Sequence, residues 1–270
     1  SYILAVNPDI LSAASMDKGA VFTATALAAS IATLVMAIMA KLPFALAPGM
    51  GLNAFFAFTL VQGMGFSWEA ALAAVFIEGV VFILLTVFNV RELIVNAIPE
   101  TLRHAISVGI GLFIAFLGLQ KAGLIVADPA TFVSLGEFTP STLLAVGGIV
   151  IGGVLVARKV RGALFYAILI VTVLSIPLGV TRIPENFSFV SLPHSLEPVF
   201  FKLDFHSLLS VNMLVALFSL VFMDIFDTLG TLVGTANKVG MVKPDGSIPK
   251  LKPAMMADAI GTTVGALLGT

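Results

Sequence analysis

Leu46-Ala47-Pro48-Gly49-Met50-Gly51-Leu52-Asn53-Ala54-Phe55-Phe56 lies inside an apolar run long enough to cross a bilayer, yet it cannot be one unbroken helix. Pro48 removes a backbone donor, and Gly49 and Gly51 weaken the helix on either side of Met50. Non-helical backbone is tolerated at membrane depth only where protein or a wet cavity satisfies its polar groups. The spacing therefore predicts an interrupted span, with a half-helix restarting near Leu52. Its free N–H groups and positive dipole end would point into a cavity, and Asn53 could both donate to and accept from a ligand there. A proline kink that serves packing alone is the alternative.

Working outward, the chain supplies such runs one after another. Hydrophobic residues make up 59% of its 270 residues and charged residues 11%. Its mean hydropathy is +1.11. Composition of this kind excludes an ordinary globular domain, in which about a quarter of residues are charged. We read nine runs: about 1–14 (a stub), 20–40, 45–62, 68–88, 102–119, 141–157, 163–178, 208–234 and 255–270 (a second stub). The predicted class is an all-α, polytopic membrane protein. With 22 Phe against one Trp and two Tyr, most aromatics are expected to face lipid or packed helices.

The net charge of −1 offers no basic field for nucleic acid. The absence of cysteine excludes disulfides, thiol catalysis and thiolate-bound metal. His104, His194 and His206 match no metal-binding spacing. Both ends of the chain look cut, because the first run meets Asn7-Pro8 after six residues and the last stops at Leu268-Gly269-Thr270 without an anchor. A longer protein is expected.

Cytoplasmic loops carry an excess of Lys and Arg. Loops after the even-numbered runs hold ten: Lys41, Arg91, Arg103, Arg158, Lys159, Arg161, Lys238, Lys243, Lys250 and Lys252. The other side holds four, namely Lys18, Lys121, Arg182 and Lys202. Even-numbered loops are therefore expected on the cytoplasmic side. The longest polar segment, 179–207, contains Pro184, Pro193 and Pro198 and reads as an outer-surface crossing between two units. Seven runs precede it, so a second seven-span unit would start from the opposite side and form an inverted repeat.

Four acids fall at membrane depth: Glu78, Asp224, Asp227 and Asp258. A carboxylate at the bilayer centre costs at least about 2.5 kcal/mol to insert, so it reads by default as functional. Asp224 and Asp227 are three apart in VFMDIFDTLGTLVGT, on one helical face with Thr228 and Thr231 close by. Such a face should line a cavity, although one Asp could instead cap a helix or pair with a cation. Glu78 is either a structural pairing group or a proton relay. Asp258 reads as an interfacial or capping residue. Gly148 to Gly152 and Gly261 to Gly265 fit close helix packing. Pro244-Asp245-Gly246-Ser247 reads as a turn.

LAPGMGLNAFFAFTLVQGMG, TLRHAISVGIGLFIAFLGLQKAGLIV and MDIFDTLGTLVGTANKVGMVKPDG together resemble the AzgA-like branch of the nucleobase-ascorbate transporter superfamily. The members of that branch are hypoxanthine, guanine and adenine permeases. The resemblance implies fourteen spans in two inverted repeats of seven, with a broken third span, and a division into core and gate. The core would take residues 1–97 and 208–270, the gate 98–178, and the linker between repeats 179–207. The implied substrate-binding set is Asn53, Asp224 and, less directly, Asp227, with Gly51 at the break and Phe55 over the face of the base. Asp224, Asp227 and Glu78 are the candidates for proton coupling. No cofactor is expected, the coupling ion is a proton with sodium as the alternative, and the location is the plasma membrane; the expected partners are the purine and the lipid, with oligomeric state left open and a homodimer as one alternative. The resemblance also implies a tenth span, beyond these residues, that bears a further acid contacting purine, so these 270 residues alone are not expected to transport.

A neutral purine offers N–H donors beside ring-nitrogen and carbonyl acceptors, which a carboxylate and an amide can read. A buried carboxylate can also link proton binding to substrate binding. An intramembrane aspartyl protease needs two aspartates that face each other, whereas both acids here share a helix. An anion transporter on the same fold should offer cations or half-helix N-termini in place of carboxylates. A channel should show a ring of pore charges, and none is evident.

Overall fold

In the computed structural model, residues 2–90, 100–181, 192–241 and 249–270 are described. The predicted turn Pro244–Ser247 lies outside them, as do Arg91, Arg182, Pro184 and Lys243 and the side chains of Arg103, His104 and Lys238.

The described chain is mostly helical. It forms α1 (Ile3–Ser12), α2 (Lys18–Val35), α3 (Met50–Ala54), α4 (Trp68–Val87), α5 (Glu100–Lys121), α6 (Pro140–Ala157), α7 (Ala163–Ser175), α8 (Val211–Lys238) and α9 (Leu251–Leu268). α2 continues as a π-helical segment, Met36–Ala40, and α3 as another, Phe55–Gly63. A 3-10 turn, His206–Leu209, leads into α8. Among the described residues four helical segments, Lys18–Ala40, Trp68–Val87, Pro140–Ala157 and Val211–Ala236, are long and apolar enough to cross a membrane. The apolar helices Ile3–Ser12, Met50–Gly63 and Ala163–Ser175 are shorter. The chain is an integral membrane protein by this hydropathy.

Helix starts follow local chemistry. Asp17 accepts from the Ala20 N–H at 2.7 Å to cap α2, and Ser67 accepts from Ala70 at 3.2 Å to cap α4. Thr139 caps α6, with Pro140 in the first turn where its missing N–H costs nothing.

The first helix runs through Pro8, inside the stub expected over 1–14. Two expectations change. An all-α chain is too narrow a description, because β1 (Ile125–Asp128) and β2 (Phe132–Leu135) form an antiparallel hairpin between α5 and α6. Asp128 closes its turn by accepting from the N–H groups of Ala130 and Thr131 at 2.8 and 2.9 Å. These bonds hold the exposed Asp128 carboxyl below its ordinary pKa. Finally, residues 41–49 form neither helix nor strand ahead of the break, although the third run was expected to begin at 45. Pro43 and Pro48 disfavour helix in the residues before them, and Thr33 of α2 supplies the missing partners. Its hydroxyl donates to the Leu46 carbonyl at 3.2 Å and accepts from the Leu46 N–H at 3.0 Å.

The chain divides into two compact units, residues 1–111 with 193–270, and residues 112–192. In the first, one core gathers Leu11, Val21, Phe56, Leu60, Leu72, Met213 and Leu220. Another gathers Met36, Phe44, Phe82, Ile225, Leu229 and Met255. Glycines set the closest approaches: a Cβ at Gly261 of α9 would lie 2.9 Å from the Ala32 Cβ of α2. In the second unit, Gly148 and Gly152 of α6 face Val171 and Ala167 of α7 in the same way. Gly148, Gly152 and Gly261 thus serve helix packing, whereas a Cβ at Gly265 would meet Thr270 at the end of its own segment.

Candidate functional site

The broken span brings α3 against α8. A Cβ built on Gly49, just before α3, would lie 3.0 Å from the Asp227 Oδ2. The two elements run in opposite directions. Asp204, just before α8, donates its N–H to the carbonyl of Glu69 at the start of α4, and α4 follows the end of the α3 segment after a turn of a few residues. The N-terminal end of α8 therefore lies near the far end of the α3 segment. One turn beyond Gly49 on α3 is Asn53, and one turn back from Asp227 on α8 is Asp224.

Asp224 is buried and Asp227 half-buried. Thr228, also buried, places its hydroxyl 3.3 Å from the Asp224 Oδ1 and 2.6 Å from the Asp258 Oδ2. Asp258 is thereby corrected from an interfacial cap to a neighbour of this cluster. α9 starts at Leu251, four residues before the expected Met255, so Asp258 stands two turns inside the helix. Thr231 turns back to the carbonyls of Asp227 and Thr228. Gly51 is half-buried and accepts from the N–H of Phe55, whose half-buried ring packs on the first core. Glu78 is buried on α4, next to the Gly79 that abuts Thr263 of α9.

Sequence reasoning missed Asn7. It is fully buried and bonded to Thr25 of α2, to Thr270, and to the Asn53 side chain. The available signal was a costly amide in an apolar run, which deserved the weight given to the acids. Among the described residues no group of three or more His, Cys, Asp or Glu could hold a metal ion. A cavity of about 370 Å³ in the second unit, lined by Leu143, Leu144, Ile151 and Leu174 among others, is apolar and gives a base no hydrogen-bonding partner.

Residues 2–270 match the family described as Permease family. The chain belongs to that family. A relative from Methanocaldococcus jannaschii is 49% identical over 100% of this chain and 62% of its own length. Guanine/hypoxanthine permease PbuG of Bacillus subtilis is 42% identical over 100% of this chain and 63% of its own length. Adenine permease AdeP of Escherichia coli is 40% identical over 100% of this chain and 60% of its own. The chain thus spans about six tenths of the length of the curated relatives it matches. Permease membership marks it as a transporter family member rather than an enzyme.

Proposed function

We propose that this protein imports purine nucleobases, hypoxanthine, guanine and adenine, by proton symport across the plasma membrane. The observation that carries the reading is the approach of the helix break to the acids of α8: Gly49 lies against the half-buried Asp227, with Asn53 one turn along from Gly49 and the buried Asp224 one turn back from Asp227. An amide and a carboxylate together match the alternating donors and acceptors of a purine edge, while Phe55 can cover a ring face. A site that hydrogen-bonds those groups rejects analogues lacking them, since its own polar groups would be stranded. Adenine and guanine/hypoxanthine permeases among the relatives support the substrate class.

The proposed architecture is fourteen spans in two inverted repeats, of which these residues supply the first nine. Residues 1–97 and 208–270 belong to the core, 98–178 to the gate and 179–207 to the crossing between repeats, with even-numbered loops cytoplasmic. Carboxylates beside the break disfavour an anion substrate. The coupling proton would reside on Asp224 or Asp227, with Glu78 as the outlying candidate.

The test is uptake of radiolabelled hypoxanthine by the intact gene product in cells lacking their own purine uptake, at several pH values. Asp224→Asn should abolish proton-coupled accumulation while the protein still reaches the membrane. Unchanged uptake by that variant would overturn the reading.

A further inference from the structure

A hydrogen-bond inventory around Asn7 determines which way a neighbouring amide must point. The Thr25 hydroxyl lies 2.7 Å from the carbonyl of Val21, one turn back on α2, and donates to it. With its single proton committed, the Thr25 Oγ1 can only accept. It accepts from the Asn7 Nδ2 at 2.7 Å and from the Thr270 hydroxyl at 3.0 Å. Thr270 Oγ1 in turn accepts the other Asn7 N–H at 2.7 Å. Both N–H groups of Asn7 are then used, and its Oδ1 is the atom turned to Asn53. Asn53 answers with its Nδ2.

Turning Asn7 over would set its N–H groups against those of Asn53 and withdraw two donors from the threonine oxygens. Asn7 is 0% exposed and Thr25 is 0% exposed, so no water would compensate. The order of donors thus runs without a gap from Asn53 through Asn7 and Thr25 to the Val21 carbonyl.

We propose that Asn7 and Thr25 are positioning residues that hold the Asn53 amide with its Oδ1 turned away from Asn7 as a fixed acceptor, so that the site selects nucleobases carrying a ring N–H at the edge that meets Asn53. The inference rests on the reading of Asn53 as a substrate contact. It assigns to the buried α1–α2 pair a share in specificity although neither residue touches the base.

The experiment measures inhibition constants for hypoxanthine and its 1-, 3-, 7- and 9-methyl derivatives against hypoxanthine uptake by the intact gene product. Wild type should bind at least one N-methyl derivative far more weakly than hypoxanthine. Thr25→Val, which keeps the shape and removes the hydroxyl, should shrink that discrimination by roughly tenfold through weaker hypoxanthine binding, leaving the maximal rate per transporter in the membrane little changed. Thr25→Ser restores the hydroxyl and should restore the ratio. A purely structural role for Thr25 would lower membrane levels or melting temperature without altering the ratio. If Thr25→Val does not reach the membrane, Thr25→Ala is measured in its place under the same criterion. An unchanged ratio in a variant present at wild-type level overturns the proposal, and so does a wild type indifferent to every methyl derivative. Asp224→Asn separates the two readings. Normal uptake by that variant faults the purine site itself, whereas its loss together with an unchanged Thr25→Val ratio faults only the positioning role.

Discussion

Gly49 and Asp227 face each other so closely that a single methyl group at residue 49 would stand 3.0 Å from the carboxylate oxygen. The residue before α3 is therefore a spacer for a carboxylate as well as a helix breaker. Gly49→Ala should push the Asp227 carboxylate aside and raise KM for hypoxanthine by roughly tenfold, the equivalent of about 1.4 kcal/mol. Gly49→Val, with two further methyl groups at the same place, should leave no measurable uptake. The check is uptake kinetics normalised to protein in the membrane, and a Gly49→Val transporter with normal KM would contradict it.

How far the sequence could be read depended on the range of the interaction involved. The break at Pro48–Gly51 is a local property of the backbone and was legible. So were the starts of α4 and α6, where Ser67 and Thr139 cap within three residues. The irregular path of residues 41–49 was not legible, because it relies on the Thr33 hydroxyl thirteen residues away on another element. Asn7 was hidden for the same reason. Its partners Thr25, Asn53 and Thr270 are brought to it by the packing of three helices. Asp258 was misplaced by a small error in where α9 begins, which turned a residue two turns inside the helix into an apparent cap.

Gly79 and Gly118 make opposite predictions for the same substitution. A Cβ at Gly79 would lie 2.9 Å from the backbone N and 3.0 Å from the Cα of Thr263, neither of which can swing aside. The helix-propensity gain of about 1 kcal/mol from Gly79→Ala is then outweighed by an overpacking cost of about 1–3 kcal/mol. Among the described residues, nothing outside its own helix backbone stands within 4 Å of a Cβ built on Gly118 of α5, so Gly118→Ala should keep the propensity gain. Thermal unfolding of the intact protein in detergent should show a lower Tm for Gly79→Ala and an equal or higher Tm for Gly118→Ala.

The hairpin turn should weaken in acid. The Asp128 carboxyl is held below its ordinary value of 3.8, chiefly by the N–H groups of Thr131 and Ala130 and further by the Thr131 hydroxyl. A carboxyl depressed in the folded state favours the fold fully above its unfolded pKa and loses that contribution as pH falls through the lower native value. Amide exchange at Ala130 and Thr131, corrected for intrinsic rates, should therefore show protection at pH 5 that fades below pH 4. Asp128→Asn keeps an acceptor without a titrating proton and should flatten that dependence.

Thr33 tests whether the non-helical limb of the broken span is held from outside. One hydroxyl serves both the N–H and the C=O of Leu46, at 3.0 and 3.2 Å, in a part-buried setting where a lost partner is not readily replaced by water. Thr33→Val keeps the volume and removes both bonds, at a cost of about 1–3 kcal/mol for each group left unsatisfied. Thr33→Ser keeps them. Because residues 41–49 lead directly into Gly49 and the Asp227 contact, loosening Leu46 should disturb the site as well as the fold. Thr33→Val should lower Tm and raise KM together, while Thr33→Ser should do neither. A Tm loss without a KM change would mean that the limb can move without carrying Gly49 with it.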